Sequence, residues 1–209
     1  MSFEGKAKAP NGEKRRRGRP NDSSIDAALL QAACDEFVEK GYHGMSMGAI
    51  AERAGVSKVS LYRRWKKKAD IAANVFGKLN ERDRRIEAET LEAYVQNFMR
   101  NSIDASDARR FGRLVMRTIG EIAEDPELLA AYRDHLLMPG FEQLRGVVEQ
   151  ARQRGEIVEN ASTDAVCALI AGPLFLYYLA LLAKADMELT DDVARQVSRL
   201  IIDGIRPRK

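Results

Sequence analysis

The stretch Ser46-Met-Gly-Ala-Ile-Ala-Glu-Arg-Ala-Gly-Val-Ser-Lys-Val-Ser-Leu-Tyr-Arg-Arg-Trp65 decides the fold. Ser46 is a helix cap, because its hydroxyl can accept an orphan N–H of the first turn. Ile50 and Ala54 follow four apart on one helical face. Gly55 comes just after that face ends, where glycine tolerates the left-handed conformation that turns a chain out of a helix. Val56 then plugs the space between two helices, Ser57 caps the second, and Leu61 points back into the shared core. Ala51 and Gly55 are both small, so the second helix is expected to pass close to the first. That second helix leaves Lys58, Ser60, Tyr62, Arg63 and Arg64 outside. A helix of this size fits the major groove, where such side chains reach base edges and phosphates. An ordinary helical hairpin with a solvated basic face is the competing reading. The order of cap, small residue, glycine, apolar plug, cap and basic face favours a helix-turn-helix that enters DNA.

Working outward, Gly41-Tyr-His-Gly-Met-Ser-Met47, Ile50-Ala-Glu-Arg-Ala-Gly-Val-Ser-Lys58, Leu61-Tyr-Arg-Arg-Trp65 and Lys68 form a longer pattern. It resembles the DNA-binding domain of the tetracycline-repressor (TetR) family, without gaps, over residues 24–75. The resemblance implies that Tyr62 and Lys68 hold phosphates. Lys66-Lys67 stand where many members carry Pro-Ser, and Val59 stands where Gly or Ala is common. The candidate DNA-contacting set is Ser46, Ser57, Lys58, Val59, Ser60, Tyr62, Arg63, Arg64 and Lys68. Within it, Ser46, Tyr62 and Lys68 are expected on the backbone, and Lys58, Ser60 and Arg63 within reach of bases.

The chain has 209 residues, 45% hydrophobic and 31% charged, as expected of a soluble globular protein with a core of its own. The net charge of +3 is uneven. Residues 1–70 hold fifteen Lys/Arg against nine Asp/Glu, and residues 71–209 hold nineteen against twenty-two. Only the front is expected to meet a polyanion. Cys34 and Cys167 each lie in an apolar helical stretch and read as small core residues. No apolar run opens the chain, so a reduced, cytoplasmic setting is expected.

Residues 1–21 are a basic arm too polar to fold, carrying Lys14-Arg-Arg-Arg-Gly-Arg-Pro20. A solvated tail and an arm laid along DNA are both open readings. The DNA-binding domain is expected over residues 22–80, with its first helix over 23–40 and Gly41 at its end. A fourth helix, 67–80, leaves the head and is the natural lever into the rest. The second domain, 81–209, reads as a succession of amphipathic helices. Asp125-Pro126 is a helix start, and Pro139-Gly140 is expected to kink or break the helix that follows. Residues 165–183 carry no charge, and nineteen such residues could span a bilayer. Gly172-Pro173 in their middle and the paired Tyr177 and Tyr178 favour a helix buried in a core and a subunit interface at once. A last helix, 190–205, shows Val193, Val197, Leu200 and Ile201. The fold class is therefore all-α with about nine helices, a three-helix head followed by a helical ligand-binding and dimerisation domain. The family resemblance implies a homodimer through helices near 163–184 and 190–204, joined as a four-helix bundle.

No catalytic constellation stands out. His43 and His135 have no metal-ligand spacing, and no glycine-rich phosphate loop or paired carboxylate is visible. No enzyme, cofactor or metal is expected. The expected partners are double-stranded DNA, a second copy and a small-molecule effector, with no membrane. Large, adaptable side chains at inward positions suggest a mostly apolar pocket. They are Phe98, Met99, Phe111, Met116, Tyr132, Phe175 and Tyr178, with His135 as polar handle. Three readings follow: a ligand-released repressor, a DNA-binding architectural protein without an effector, and a protein anchored to a membrane by residues 165–183.

Overall fold

The computed structural model describes residues 22–83, 86–101, 107–183 and 190–207. The basic arm, 1–21, lies outside the described residues. The head begins with α1 (Asp22–Gly44), on which Leu29, Ala33 and Phe37 recur every four residues and are fully buried. Its regular part ends at Gly41, whose φ of 75° only glycine adopts without strain. Then come α2 (Met47–Arg53) and α3 (Lys58–Arg64). The Ser46 hydroxyl accepts from the Ala49 N–H at 3.1 Å, and the Ser57 hydroxyl from the Ser60 N–H at 3.2 Å. Gly55 turns the chain between them at φ 66°. A Cβ there would meet nothing within 4 Å, so conformation requires this glycine and close helix approach does not, contrary to expectation. α4 (Lys68–Asp83) starts where Asp70 accepts the N–H groups of Lys66 and Lys67 at 2.8 and 3.0 Å. This satisfies two donors at the helix start.

The second domain consists of α5 (Leu91–Asn101), α6 (Asp107–Glu121), α7 (Pro126–Tyr132), a π-helical turn (Arg133–Leu137), α8 (Met138–Gln153), α9 (Thr163–Leu182) and α10 (Asp191–Ile205). The Asp125 carboxylate caps α7 by accepting the Leu128 N–H. Pro139 does not break its helix. The α7, π-turn and α8 segments run on, with right-handed helical angles at Arg133 and Met138, and the irregularity falls one turn before the proline. Pro139 has no N–H to give the carbonyl of His135, and a wider π turn there relieves both the missing bond and the ring clash. Counting this rod once, the described residues form nine helices. Pro173 likewise sits inside an unbroken α9.

α9 is long and apolar enough to cross a membrane, with mean hydropathy 1.5 over Thr163–Ala180. One face of it, through Val166, Cys167, Ile170, Leu174 and Tyr178, is buried in the second-domain core. The opposite face carries Leu169, Phe175, Leu176 and Leu179, each 44–55% exposed. α10 buries Ala194, Ser198, Ile201, Ile202 and Ile205, whereas Val193 and Leu200 of the expected stripe face outward.

The second domain has a core of its own, but it also completes the core of the head. Leu114 of α6 and Leu128 and Ala131 of α7 are buried in the same cluster as Phe37, Leu61 and Phe76 of the head. Polar contacts reinforce the join. Arg117 donates to the carbonyls of Val38 and Glu39 at 3.2 and 2.9 Å, and the Glu121 carboxylate accepts the N–H groups of Tyr42 and His43 at 2.7 and 3.2 Å. Lys67 pairs with Glu127 at 2.6 Å, and Arg110 with Asp35.

Candidate nucleic-acid interface and apolar cavity

The outward face of the head is built by two capped helices crossing over one buried leucine. Leu61 holds α3 down, completely buried, so Val59 and Tyr62 must face out, at 79% and 46% exposure. Lys58 and Arg63 are exposed beside them, and Ser60 is half-buried with its hydroxyl 3.1 Å from that of Ser57. The Lys58 side chain lies back over the first turn of α2, where a Cβ on Gly48 would come within 3.3 Å of its Cε. Its ammonium therefore stands near the start of α2, next to the Ser46 cap, where a helix N-terminus favours an anion.

Two members of the predicted set are held differently. Arg64 does not stand with the exposed residues. Its side chain is 15% exposed, paired with Asp26 of α1 and bonded to the Ser60 carbonyl at 3.2 Å, so it ties α3 to α1. The register explains this, since Arg64 lies three residues beyond Leu61 and shares its inward side. Lys68 begins α4 and donates to the carbonyls of His43 and Tyr42 at 2.9 and 3.4 Å, with its ammonium 5.9 Å from the centre of the Tyr42 ring. It anchors the turn before α2 as well as facing the head's surface.

The second domain encloses a half-open cavity of about 230 Å³ between α5, the rod from α7 to α8, α6 and α9. Phe98, Tyr132, Phe175 and Tyr178, four of the candidate pocket residues, line it. Met99 and Met116 do not: they are buried in the surrounding core, filling space between helices. His135 is exposed on the π turn, because Tyr132, Leu136 and Gly140, four apart, take the inward face. The side chain of Phe111 lies outside the described residues. The lining residues that sequence reasoning missed include Tyr94, Phe141, Gln143 and Leu144. Tyr94 was visible only as part of a stripe, and Gln143 only as a polar residue beside Leu144. No described residue lining the cavity is charged. Tyr94 and Phe98 stack at 6.0 Å and 11° as a flat wall. Tyr132 looks both ways: it lines the cavity, and its ring meets Phe76 of α4 edge-on at 5.6 Å. Burial raises its phenol's pKa above the ordinary value. Phe76 in turn packs on Phe37 at 5.7 Å, and Phe37 on Tyr42 at 6.1 Å.

Residues 29–75 match the family described as bacterial regulatory proteins, tetR family, and residues 86–197 match the tetracyclin repressor-like C-terminal domain. The chain belongs to the TetR family. It is 31% identical to the uncharacterized HTH-type transcriptional regulator YdeS of Bacillus subtilis, over 91% of this chain and 94% of YdeS. It is 29% identical to the HTH-type transcriptional regulator UidR of Escherichia coli, over 85% and 90%. Among solved structures it superposes on FadR of Bacillus subtilis, determined with stearoyl-CoA. There the TM-score is 0.71 and identity 20%, covering 87% of this chain and all of that one. This TetR-family chain is thus a helix-turn-helix transcriptional regulator.

Proposed function

We propose that the protein is a homodimeric repressor that leaves an inverted-repeat operator when a small, uncharged, mostly apolar molecule fills the second-domain cavity. The observation that carries this reading is the position of Tyr132, whose ring is both cavity wall and neighbour of α4. A ligand that displaces Tyr132 pushes on Phe76, and through Phe37 on Tyr42, next to the turn that sets α2. The head then shifts relative to its partner. The ligand must favour the released state, and each 1.4 kcal/mol of preference is about tenfold in operator affinity. The cavity supports this reading over an architectural protein without an effector. An apolar cavity of about 150 Å³ holds benzene, so this one suits a molecule of roughly ten non-hydrogen atoms. Tyr94, Tyr132, Tyr178 and Gln143 offer it uncharged polar handles. FadR, which shares this fold, was determined with stearoyl-CoA, a ligand with a long apolar chain.

On DNA, Ser46, Tyr62, Lys68 and Lys58 take phosphates, while Ser60 and Arg63 reach bases from α3. The apolar stripes of α9 and α10 cover each other across a two-fold axis and set the heads about one helical turn of DNA apart, or a multiple. The protein acts in the cytoplasm, where its DNA is.

The experiment is selection of bound duplexes from random DNA, followed by a screen of small aromatic and aliphatic compounds for release. Tyr132→Ala and Phe98→Ala are expected to bind the selected DNA within about threefold of wild type but to lose most of the ligand response. Full release of both variants at the wild-type ligand concentration overturns the cavity assignment.

A further inference from the structure

α3 carries one apolar side chain for which the fold has no use. Val59 is 79% exposed, more than any other large apolar side chain among the described residues. Leu61, two positions on, is fully buried, and Val56 packs on the head core from the turn. The core of the head closes without Val59. Helix stability does not ask for it either, because a β-branched residue loses rotamer freedom against the preceding turn. Its neighbours on the outer face, Lys58, Tyr62 and Arg63, are groups for phosphates and for hydrogen-bonding base edges. Val59 can make no such bond.

Its position is nevertheless the one that meets bases. It is the second residue of α3, in the N-terminal turn that a recognition helix presents to base edges. The major groove offers one apolar feature there, the C5-methyl group of thymine. We propose that Val59 reads a thymine methyl in each half-site of the operator. This rests on the DNA-binding role of α3 and adds the base that one residue selects. The isopropyl group packs on the methyl and expels water from both. Against cytosine or uracil the same group faces a C5–H, and a methyl-sized gap stays open. The loss is about fourfold in affinity per half-site, the worth of one buried methyl-sized group.

The test uses the full chain and the duplex recovered from random DNA. Each thymine of that duplex is replaced in turn by deoxyuridine, which keeps the O4 acceptor and removes only the methyl. Wild type is expected to lose about fourfold at one thymine per half-site, and Val59→Ala to bind the thymine and deoxyuridine duplexes equally there. Where that thymine is changed to cytosine, 5-methylcytosine should restore part of the lost wild-type affinity and none of the variant's. Indifference of wild type to every deoxyuridine overturns the proposal, as does a Val59→Ala protein that keeps the full preference for the methyl. A pool from which no sequence is enriched overturns the base-reading role of α3 itself, a different outcome from the other two. Val59→Ala removes an exposed side chain and raises helix propensity, so its thermal melt should match wild type.

Discussion

Tyr42 is where the head, α4 and the second domain meet in one residue. Its N–H donates to Glu121, its carbonyl accepts from Lys68, and its ring packs on Phe37. Burial first, and then the negative charges of Asp125, Glu127 and Asp70, push its phenol up to about 12 from the ordinary 10.0. The folded state therefore holds this proton after the unfolded chain has lost it. Below the ordinary value both states are protonated and stability is unaffected. As pH rises from about 10 to about 12 the unfolded state binds fewer protons, so stability falls. Denaturant unfolding of wild type and Tyr42→Phe at about pH 9 and about pH 11 checks this. The variant should lose distinctly less stability between the two, and an equal loss would assign the alkaline effect to another group. At this scale the sequence was readable where one residue does a local job. Ser46, Ser57 and Gly55 act within a turn of themselves. The hold of Asp26 on Arg64 was not readable, because the two lie thirty-eight positions apart.

Among the elements, α9 and α10 each leave large apolar side chains exposed. Leu169, Phe175, Leu176 and Leu179 on one helix and Val193 and Leu200 on the other are all at least 40% exposed. Contiguous apolar faces of this kind mark an interface, and a two-fold interface places each patch against itself. Leu200 is 72% exposed in the single chain and so contributes little to its folding. Leu200→Glu combined with Leu176→Glu should give a folded monomer in sedimentation, with operator affinity reduced at least tenfold. A double variant that stays dimeric would move the interface elsewhere. The stripe on α10 was half-read from sequence: its period was visible, but Val193 and Leu200 belong to the outer face and Ile202 and Ile205 to the inner one. For α9 no choice of face was possible, since apolar residues surround the helix. The expected kink or break at Pro139 rests on the missing N–H, which the sequence shows; the π turn that absorbs it the sequence does not show.

At the scale of the molecule, the second domain completes the head's core with Leu114, Leu128 and Ala131. Glu121 and Arg117 grip the end of α1 and the turn after it. Removal of the second domain would strip Tyr132 from Phe76 and three apolar side chains from the head core, so thermal unfolding should be one cooperative transition. Glu121→Ala strips the carboxylate from two backbone donors and should cost about 1.5–3 kcal/mol. Calorimetry decides both points: two resolved transitions in wild type, or an unshifted melting temperature in the variant, would show that the domains are independent. The same clasp fixes Gly41, because a Cβ there would collide with the Glu121 carboxylate.

The sequence by itself determined the class of the protein. The period of its apolar residues, its caps and its turn glycine are local signals, and they specified an all-helical chain with a DNA-reading motif at 46–65. It also pointed inward to Phe98, Tyr132 and Tyr178, and to Phe175, which is half exposed although it lines the cavity. Only the tertiary structure decided which of the inward residues surround empty space and which fill it. A cavity is a shortfall of packing between α5, α6, α8 and α9, and it depends on how four helices far apart in sequence settle against one another. The same holds for Tyr132 and Phe76, whose edge-on contact joins the cavity to α4. Periodicity assigns each ring to an inner face, but contact between two faces exists only once the helices have packed.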